Sequence, residues 1–180
     1  MGRNAVLAVD EVQEGSAVEI KDNQGFKGIF AKESIAKGAV ILYLKGTISS
    51  QPTKFTIEIG ANRHLTLPAV RNTDDELDYC WQYLNHNCEP TGYLNTAELT
   101  FRALRDIAAG EEINFNYLTT ESEMAVPFAC NCGSTNCFGL IRGHHFLSPA
   151  ETERLSNLLE PPHALTTEPV SGLAPERDRP

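Results

Sequence analysis

The sequence predicts a mainly β fold of many short strands with few short helices, and three observations carry that expectation. Apolar and β-branched residues come in short runs. Gly, Asn, Asp and Pro interrupt those runs every few residues. Helix-start signals are few. A length of 180 residues suits one domain with additional terminal segments, and a hydrophobic content of 41% allows a packed core.

From the N-terminus, Ala17-Val18-Glu19-Ile20 alternates as a half-buried strand does, and Ala39–Leu44 is an apolar run of strand length. Phe55-Thr56-Ile57-Glu58-Ile59 and His64-Leu65-Thr66-Leu67 alternate again. The stretches Lys54–Ile59 and Arg63–Leu67 flank Gly60-Ala61-Asn62, which suits a hairpin turn because Gly and Asn accept positive φ. Thr73-Asp74-Asp75-Glu76 has capping-box spacing and predicts a short helix running toward Trp81. Leu99–Leu104 and Ile113–Tyr117 complete the strands. Ser148-Pro149-Ala150-Glu151 places a cap, a first-position Pro and a first-turn acid in order, so a helix follows to near Leu159. Five of the ten prolines then fall between Pro161 and Pro180 with few large apolar residues, a composition that predicts a flexible tail.

The formal net charge is −9. That balance argues against binding nucleic acid through its phosphates, which takes clustered Lys and Arg. It suits either a basic partner or simple solubility. The apolar runs are far shorter than the ~20 residues of a membrane span, and the N-terminus is too acidic for a signal peptide. Val6 stands where a myristoylation signal needs Ser or Thr. A soluble, intracellular protein with no membrane partner is the expectation. No motif specifies an oligomeric state.

Cysteines lie at 80, 88, 130, 132 and 137. Cys130, Cys132 and Cys137 form Cys-x-Cys-x4-Cys, with Gly133 and Asn136 able to turn the chain back. Zinc takes four ligands, so a fourth must come from elsewhere; Cys88, between Asn87 and Pro90, is the candidate and Cys80 the spare. Disulfides or free thiols are the competing reading, disfavoured by an odd count in an intracellular chain. Cys80 reads as a small buried hydrophobe.

Four stretches in order resemble the SET domain family of protein lysine methyltransferases. Gly28-Ile29-Phe30-Ala31-Lys32-Glu33-Ser34-Ile35-Ala36-Lys37-Gly38 resembles the opening G-x-G-V-F-A…I-x-x-G segment. Tyr83-Leu84-Asn85-His86-Asn87-Cys88-Glu89-Pro90 is similar to F-x-N-H-S-C-x-P-N. Ala103 to Tyr117, reading ALRDIAAGEEINFNY, is similar to A-x-R-D-I-x-x-G-E-E-L-x-F-D-Y. The cysteine run followed by Phe138-Gly139-Leu140 resembles the post-SET segment. The likeness covers roughly residues 15–142.

The resemblance implies several small curled sheets, with the second and third stretches crossing in a knot-like arrangement beside the active site. Together with the helix and tail read above, it divides the chain into an N-terminal segment 1–14, a SET domain 15–120, a post-SET zinc segment 121–147, a C-terminal helix 148–160 and the flexible Pro-rich tail 161–180. It implies S-adenosylmethionine as cofactor and Zn²⁺ held by Cys88, Cys130, Cys132 and Cys137. Lys27, Gly28, Phe30, Tyr83, Asn85, His86 and Tyr117 would bind the cofactor. Tyr117 would be the catalytic tyrosine, orienting the amine rather than acting as a base, since an ordinary phenol titrates near ~10. Phe115 would shape the channel and favour di- or trimethylation. The acceptor would be a lysine of a basic protein or peptide, with the hairpin Lys54–Leu67 and the post-SET lid choosing it.

The chain departs from the pattern at five places. Phe26 stands where the first Gly of G-x-G belongs, Asn87 replaces Ser, Thr91 replaces Asn, and Asn116 replaces Asp. Tyr43-Leu44-Lys45-Gly46 stands where Glu-Tyr is usual, so the second active-site tyrosine is missing or shifted to Tyr43. Thr91, lacking the amide, is expected to loosen the loop near the zinc. Two alternatives stay open beside the lysine methyltransferase: a methyltransferase for a small-molecule amine, and a degenerate module that uses its zinc and surface for binding.

Overall fold

The computed structural model describes residues 16–23, 25–70 and 76–158. The segment 1–14, the Thr73–Asp75 portion of the capping box and the tail 161–180 lie outside the described residues. Within them, short strands form four small sheets, followed by one α-helix.

The first sheet has the order β1-β2-β10-β7, built from β1 (Val18–Asn23), β2 (Phe26–Ala31), β7 (Asn85–His86) and β10 (Glu112–Phe115). β1 and β2 pair antiparallel along their whole length, while β10 and β7 run parallel, with Asn114 opposite Asn85 and Phe115 opposite His86. The second sheet places β9 (Thr100–Ala103) between β3 (Val40–Tyr43) and β8 (Gly92–Asn95). In the third, β6 (Arg63–Thr66) lies between β4 (Thr47–Ser49) and β5 (Ile57–Gly60). The fourth pairs β11 (Phe128–Ala129) with β12 (Leu140–Ile141).

The expected hairpin forms. Gly60 pairs with Arg63, and the turn uses φ values of +152° at Gly60 and +54° at Asn62, where Gly and Asn are tolerated. Its first strand begins at Ile57 rather than Phe55, because Thr53 and Thr56 close a local turn: the Thr56 hydroxyl accepts from Thr53 N at 2.9 Å and donates to Thr53 O at 3.0 Å. The strand expected over Ile113–Tyr117 stops at Phe115. The Asn116 side chain accepts from Leu118 N at 3.1 Å and turns Tyr117–Thr119 into a 3₁₀ turn. Near Trp81 the chain forms a 3₁₀ turn over Cys80–Tyr83 in place of a longer helix.

The main core gathers Ile29, Leu65, Trp81, Phe101, Ile107 and Ile113 between the sheets. Trp81 is fully buried and satisfies its indole N–H on Lys45 O at 2.8 Å. A second, smaller core under the C-terminal segment holds Cys88, Leu118, Phe138, Ile141 and Leu155. Leu155 comes from helix α1 (Pro149–Leu158), whose start is the expected capping box: Glu151 accepts from Ser148 N and Oγ, and Ser148 Oγ accepts from Glu151 N. Tyr117 packs against both cores and joins them.

Candidate active site

The parallel pairing of β7 with β10 brings two motif stretches together, and β2 adds a third edge. Gly28 sits where Asn85 and β10 approach closely. A Cβ there would meet Glu112 Oε1 at 2.8 Å, Asn85 Nδ2 at 3.2 Å and the Phe30 ring at 3.2 Å, so only Gly fits without displacing a neighbour. Asn85 Nδ2 donates to Lys27 O and, at 2.8 Å, to Glu112 Oε1. Tyr83 lies at the edge of this group, its ring 5.0 Å from Lys27 Nζ, and both Lys27 Nζ and the Tyr83 hydroxyl bond Glu76. Glu76 was not singled out in the sequence, where it reads only as part of a helix start. Lys27, Gly28, Phe30, Tyr83, Asn85 and His86 therefore lie along connected elements, and the exposed backbone and polar groups make a surface suited to a polar ligand.

His86 links this surface to Tyr117 and to the cysteines. Its Nδ1 accepts the Tyr117 backbone N–H at 3.1 Å, so its hydrogen resides on Nε2, 3.3 Å from Cys88 Sγ. Burial lowers its pKa to about 4, which keeps the ring neutral. The Tyr117 ring lies 5.1 Å from His86 and 4.8 Å from Phe115, and its hydroxyl donates to Leu84 O at 2.8 Å. Burial first, then the carboxylates of Glu121 and Glu112, raise the Tyr117 hydroxyl well above its ordinary range. The phenol stays protonated and acts as a donor.

Beside Tyr117 opens a cleft walled by Phe55, Trp81, Leu84, Phe115, Tyr117 and Glu121. One wall comes from the approach to β5, the other from the segment entering the cysteine run. Phe128, from that segment, completes an aromatic group with His86 at 5.6 Å and Tyr117 at 6.1 Å. Phe128 and Glu121 escaped the sequence reading; an aromatic two residues before Cys130 was the only signal for the first, and nothing local marked the second.

Tyr43 is not brought to this site. It is 54% exposed on β3, opposite Thr100 and near Arg102, and does not line the cleft. Leu44, the next residue, turns into the core instead. Thr91, expected to loosen its loop, does the opposite: it accepts from Asn114 N at 2.9 Å through its hydroxyl and donates its own N–H to Asn114 Oδ1 at 3.0 Å. Asn87, in place of Ser, accepts from Glu89 N at 2.9 Å and forms the turn that presents Cys88.

The four cysteines converge. The Sγ atoms of Cys88, Cys130, Cys132 and Cys137 lie within 4.8 Å of one another, with Cys88 at 3.8 Å from Cys130 and 3.9 Å from Cys137. Four thiolates at ~2.3 Å from a tetrahedral zinc stand ~3.8 Å apart, so the group fits the ion. Backbone N–H groups of Phe138 and Gly139 point at the sulfurs of Cys88 and Cys137, each at 3.3 Å, as thiolates require. Burial raises the Cys88 thiol; burial also opposes ionisation of Cys132, but backbone donors at Ser134 and Cys88 together with the neighbouring thiols of Cys130 and Cys88 outweigh it and bring Cys132 to about 7. Cys80 is buried and apart from the group, its thiol raised to about 12 by burial.

Glu121 is 7% exposed, and burial raises its carboxyl to about 7. A carboxyl raised above its unfolded value favours the fold most where it is protonated, below the unfolded pKa near 4.5. Stability from this group is therefore lost as pH rises from about 4.5 through about 7. Thermal melts across that window should show Tm falling, and Glu121→Gln should flatten the slope; an unchanged slope would show that another group controls it.

A profile of the SET domain family matches residues 27–118. Among curated proteins, the chain is 43% identical over 63 residues to the methyltransferase flvH of Aspergillus flavus, covering 34% of this chain and 35% of that one. It is 36% identical over 83 residues to an H3 lysine-36-specific histone-lysine N-methyltransferase of Aspergillus oryzae, covering 43% of this chain and 8% of that one. The chain thus spans about a third or less of the length of these relatives. Among solved structures, KRYPTONITE in complex with mCHG DNA and SAH aligns with a TM-score of 0.51 at 17% identity, over 68% of this chain and 28% of that one. KRYPTONITE with mCHH DNA, an H3(1-15) peptide and SAH aligns with a TM-score of 0.50. That likeness concerns the fold. No helix among the described residues is long and apolar enough to cross a membrane.

Proposed function

This chain belongs to the SET domain family, and on that footing we propose that it is an S-adenosylmethionine-dependent methyltransferase acting on the ε-amine of a lysine in a basic protein. One observation carries the reading. Tyr117 touches both groups: its backbone N–H and ring meet His86 of the polar surface, and it lines the aromatic cleft beside Phe115. A transfer between two bound molecules needs a residue positioned at both. Relatives named as histone-lysine methyltransferases, and a structural neighbour holding SAH and a histone H3 peptide, support the same cofactor and acceptor class.

The cofactor, when bound, supplies an electrophilic methyl group. The chain's own residues do the rest. Lys27 O, Asn85 and the bare face of Gly28 offer it polar groups at close approach. The aromatic walls of the cleft suit the alkyl stem of an entering amine, and the transfer itself draws on the neutral form, whose conjugate acid has a free pKa of ~10.4. The Tyr117 hydroxyl, held by Leu84 O and protonated, orients the acceptor nitrogen. Phe115 in the cleft wall, rather than Tyr, leaves room for methylated forms, and di- or trimethylation is the proposed outcome. Zinc in the four-cysteine group would hold the segment 121–147 against residues 16–120, with Pro149–Leu158 as a closing helix. Reduced thiols and an acidic surface suit an intracellular setting and a basic partner.

The test is calorimetric titration of the zinc-loaded chain with S-adenosylmethionine. Saturable binding is expected, weakened about tenfold or more by Asn85→Ala, since the lost amide also frees Glu112. Absence of binding in the wild type would sink the enzyme reading and leave a binding module.

A further inference from the structure

We propose that Glu121 selects a cationic alkylammonium side chain in the cleft, an inference that rests on reading the cleft as the acceptor channel. The charged side chains lining the cleft are Lys54 and Glu121. Lys54 is turned onto the exposed Phe55 ring, 4.7 Å from its centroid. Glu121 is the buried one, and among the described residues no ion pair includes it. A desolvated carboxylate without a counter-ion is costly, and a cation entering the same cavity removes that cost.

The geometry leaves room for such a ligand. Both hydrogen bonds to the Glu121 carboxylate fall on Oε1, from Glu58 N at 2.9 Å and from the Thr120 hydroxyl at 3.3 Å. Oε2 has no hydrogen bond among the described residues. The neighbouring acid, Glu58, is occupied by Ser122 N at 2.7 Å and Ser122 Oγ at 2.6 Å, so it does not compete for a cation. Phe55, Trp81, Phe115 and Tyr117 surround the same space and present ring faces or edges to an alkyl stem and its charged head. A ligand with a four-carbon stem and a terminal ammonium meets both features, while a neutral ligand of the same shape meets the aromatic walls alone. The overall charge of −9 draws such cations toward the molecule but does not choose this cavity.

A purely structural role for Glu121, as acceptor for the Glu58 N–H, makes a different prediction, because glutamine keeps that acceptor and removes the charge. The probe is n-butylammonium, with 1-butanol as its neutral isostere. Binding is read at pH 8 from the indole N–H resonance of Trp81, the single tryptophan, in the zinc-loaded full chain. Saturable binding of n-butylammonium by the wild type is expected, weakened about tenfold or more in Glu121→Gln, with 1-butanol binding alike in both. Equal n-butylammonium affinity in the two proteins, or no saturable shift in the wild type, overturns the proposal. Should Glu121→Gln not fold, the Glu121 carboxyl carbon of the wild type decides: its resonance must move with n-butylammonium and not with 1-butanol. Titration of the same wild-type sample with S-adenosylmethionine separates the two readings, since loss of cofactor binding with ammonium binding intact removes the enzyme reading and not the charge-selecting cavity.

Discussion

Cys88→Ser is expected to abolish stoichiometric zinc binding and to unfold the segment from residue 121 onward while the sheets before it persist. The small core beneath that segment is built on Cys88 together with Leu118, Phe138, Ile141 and Leu155, and its only strand pair is the two-residue ladder of β11 with β12. A ladder so short is not stable by itself. The metal therefore supplies most of the ordering energy, and structural zinc binding by four thiolates is worth ~10–16 kcal/mol in small zinc modules. Serine keeps the volume but not the thiolate, and it also removes the sulfur that accepts from Phe138 N and His86 Nε2. Metal analysis should fall from one zinc per chain to a small fraction. Hydrogen exchange should show protection lost over 121–147 and kept in β1, β2 and β9. A variant that keeps its zinc and its exchange pattern would show that three cysteines suffice and that Cys88 is a packing residue. Because Phe128 and Glu121 both arrive on this segment, cofactor binding and cleft occupancy should weaken in the same variant.

Tyr117→Phe is expected to lower the turnover rate by about 10²–10³-fold with cofactor affinity left within about twofold, the loss typical of one preorganised dipole at a reacting centre. The hydroxyl is buried, protonated and fixed on Leu84 O, so removing it deletes a positioned dipole rather than a base. Ring contacts to Phe115 and His86 remain, and the backbone N–H of Tyr117 still reaches His86 Nδ1. Single-turnover transfer to a core-histone preparation, beside a cofactor titration, separates rate from binding. A rate within about threefold of the wild type would place the hydroxyl outside the reacting centre, since a positioned dipole lost there costs far more.

Several strands were legible in the sequence: β3, β6 and β9 lie within a residue or two of where the pattern puts them, and β1 starts as expected but runs on past Ile20 to Asn23. β2 was hidden because Lys27 and Gly28 break the alternation, and β7 because two residues hold no period. Strand existence follows side-chain periodicity, which is local. Strand ends do not, and Phe55 and Tyr117 fell outside their expected strands because side chains of Thr56 and Asn116 captured the backbone first.

The composition of the candidate site was also local information. Spacing alone nominated three cysteines, and the order of four motifs nominated Gly28, Asn85, His86, Phe115 and Tyr117. Their meeting was decided by the parallel pairing of β7 with β10, which joins residues about thirty apart in the chain. Tertiary contacts also place Tyr43 away from the cleft: it ends β3 opposite Thr100 and is exposed, while Leu44, just past the strand, is buried in the core. They alone brought Glu121 and Phe128 in. A residue's type and spacing set what chemistry it can perform, whereas desolvation and the partner across a cleft exist only once distant segments pack.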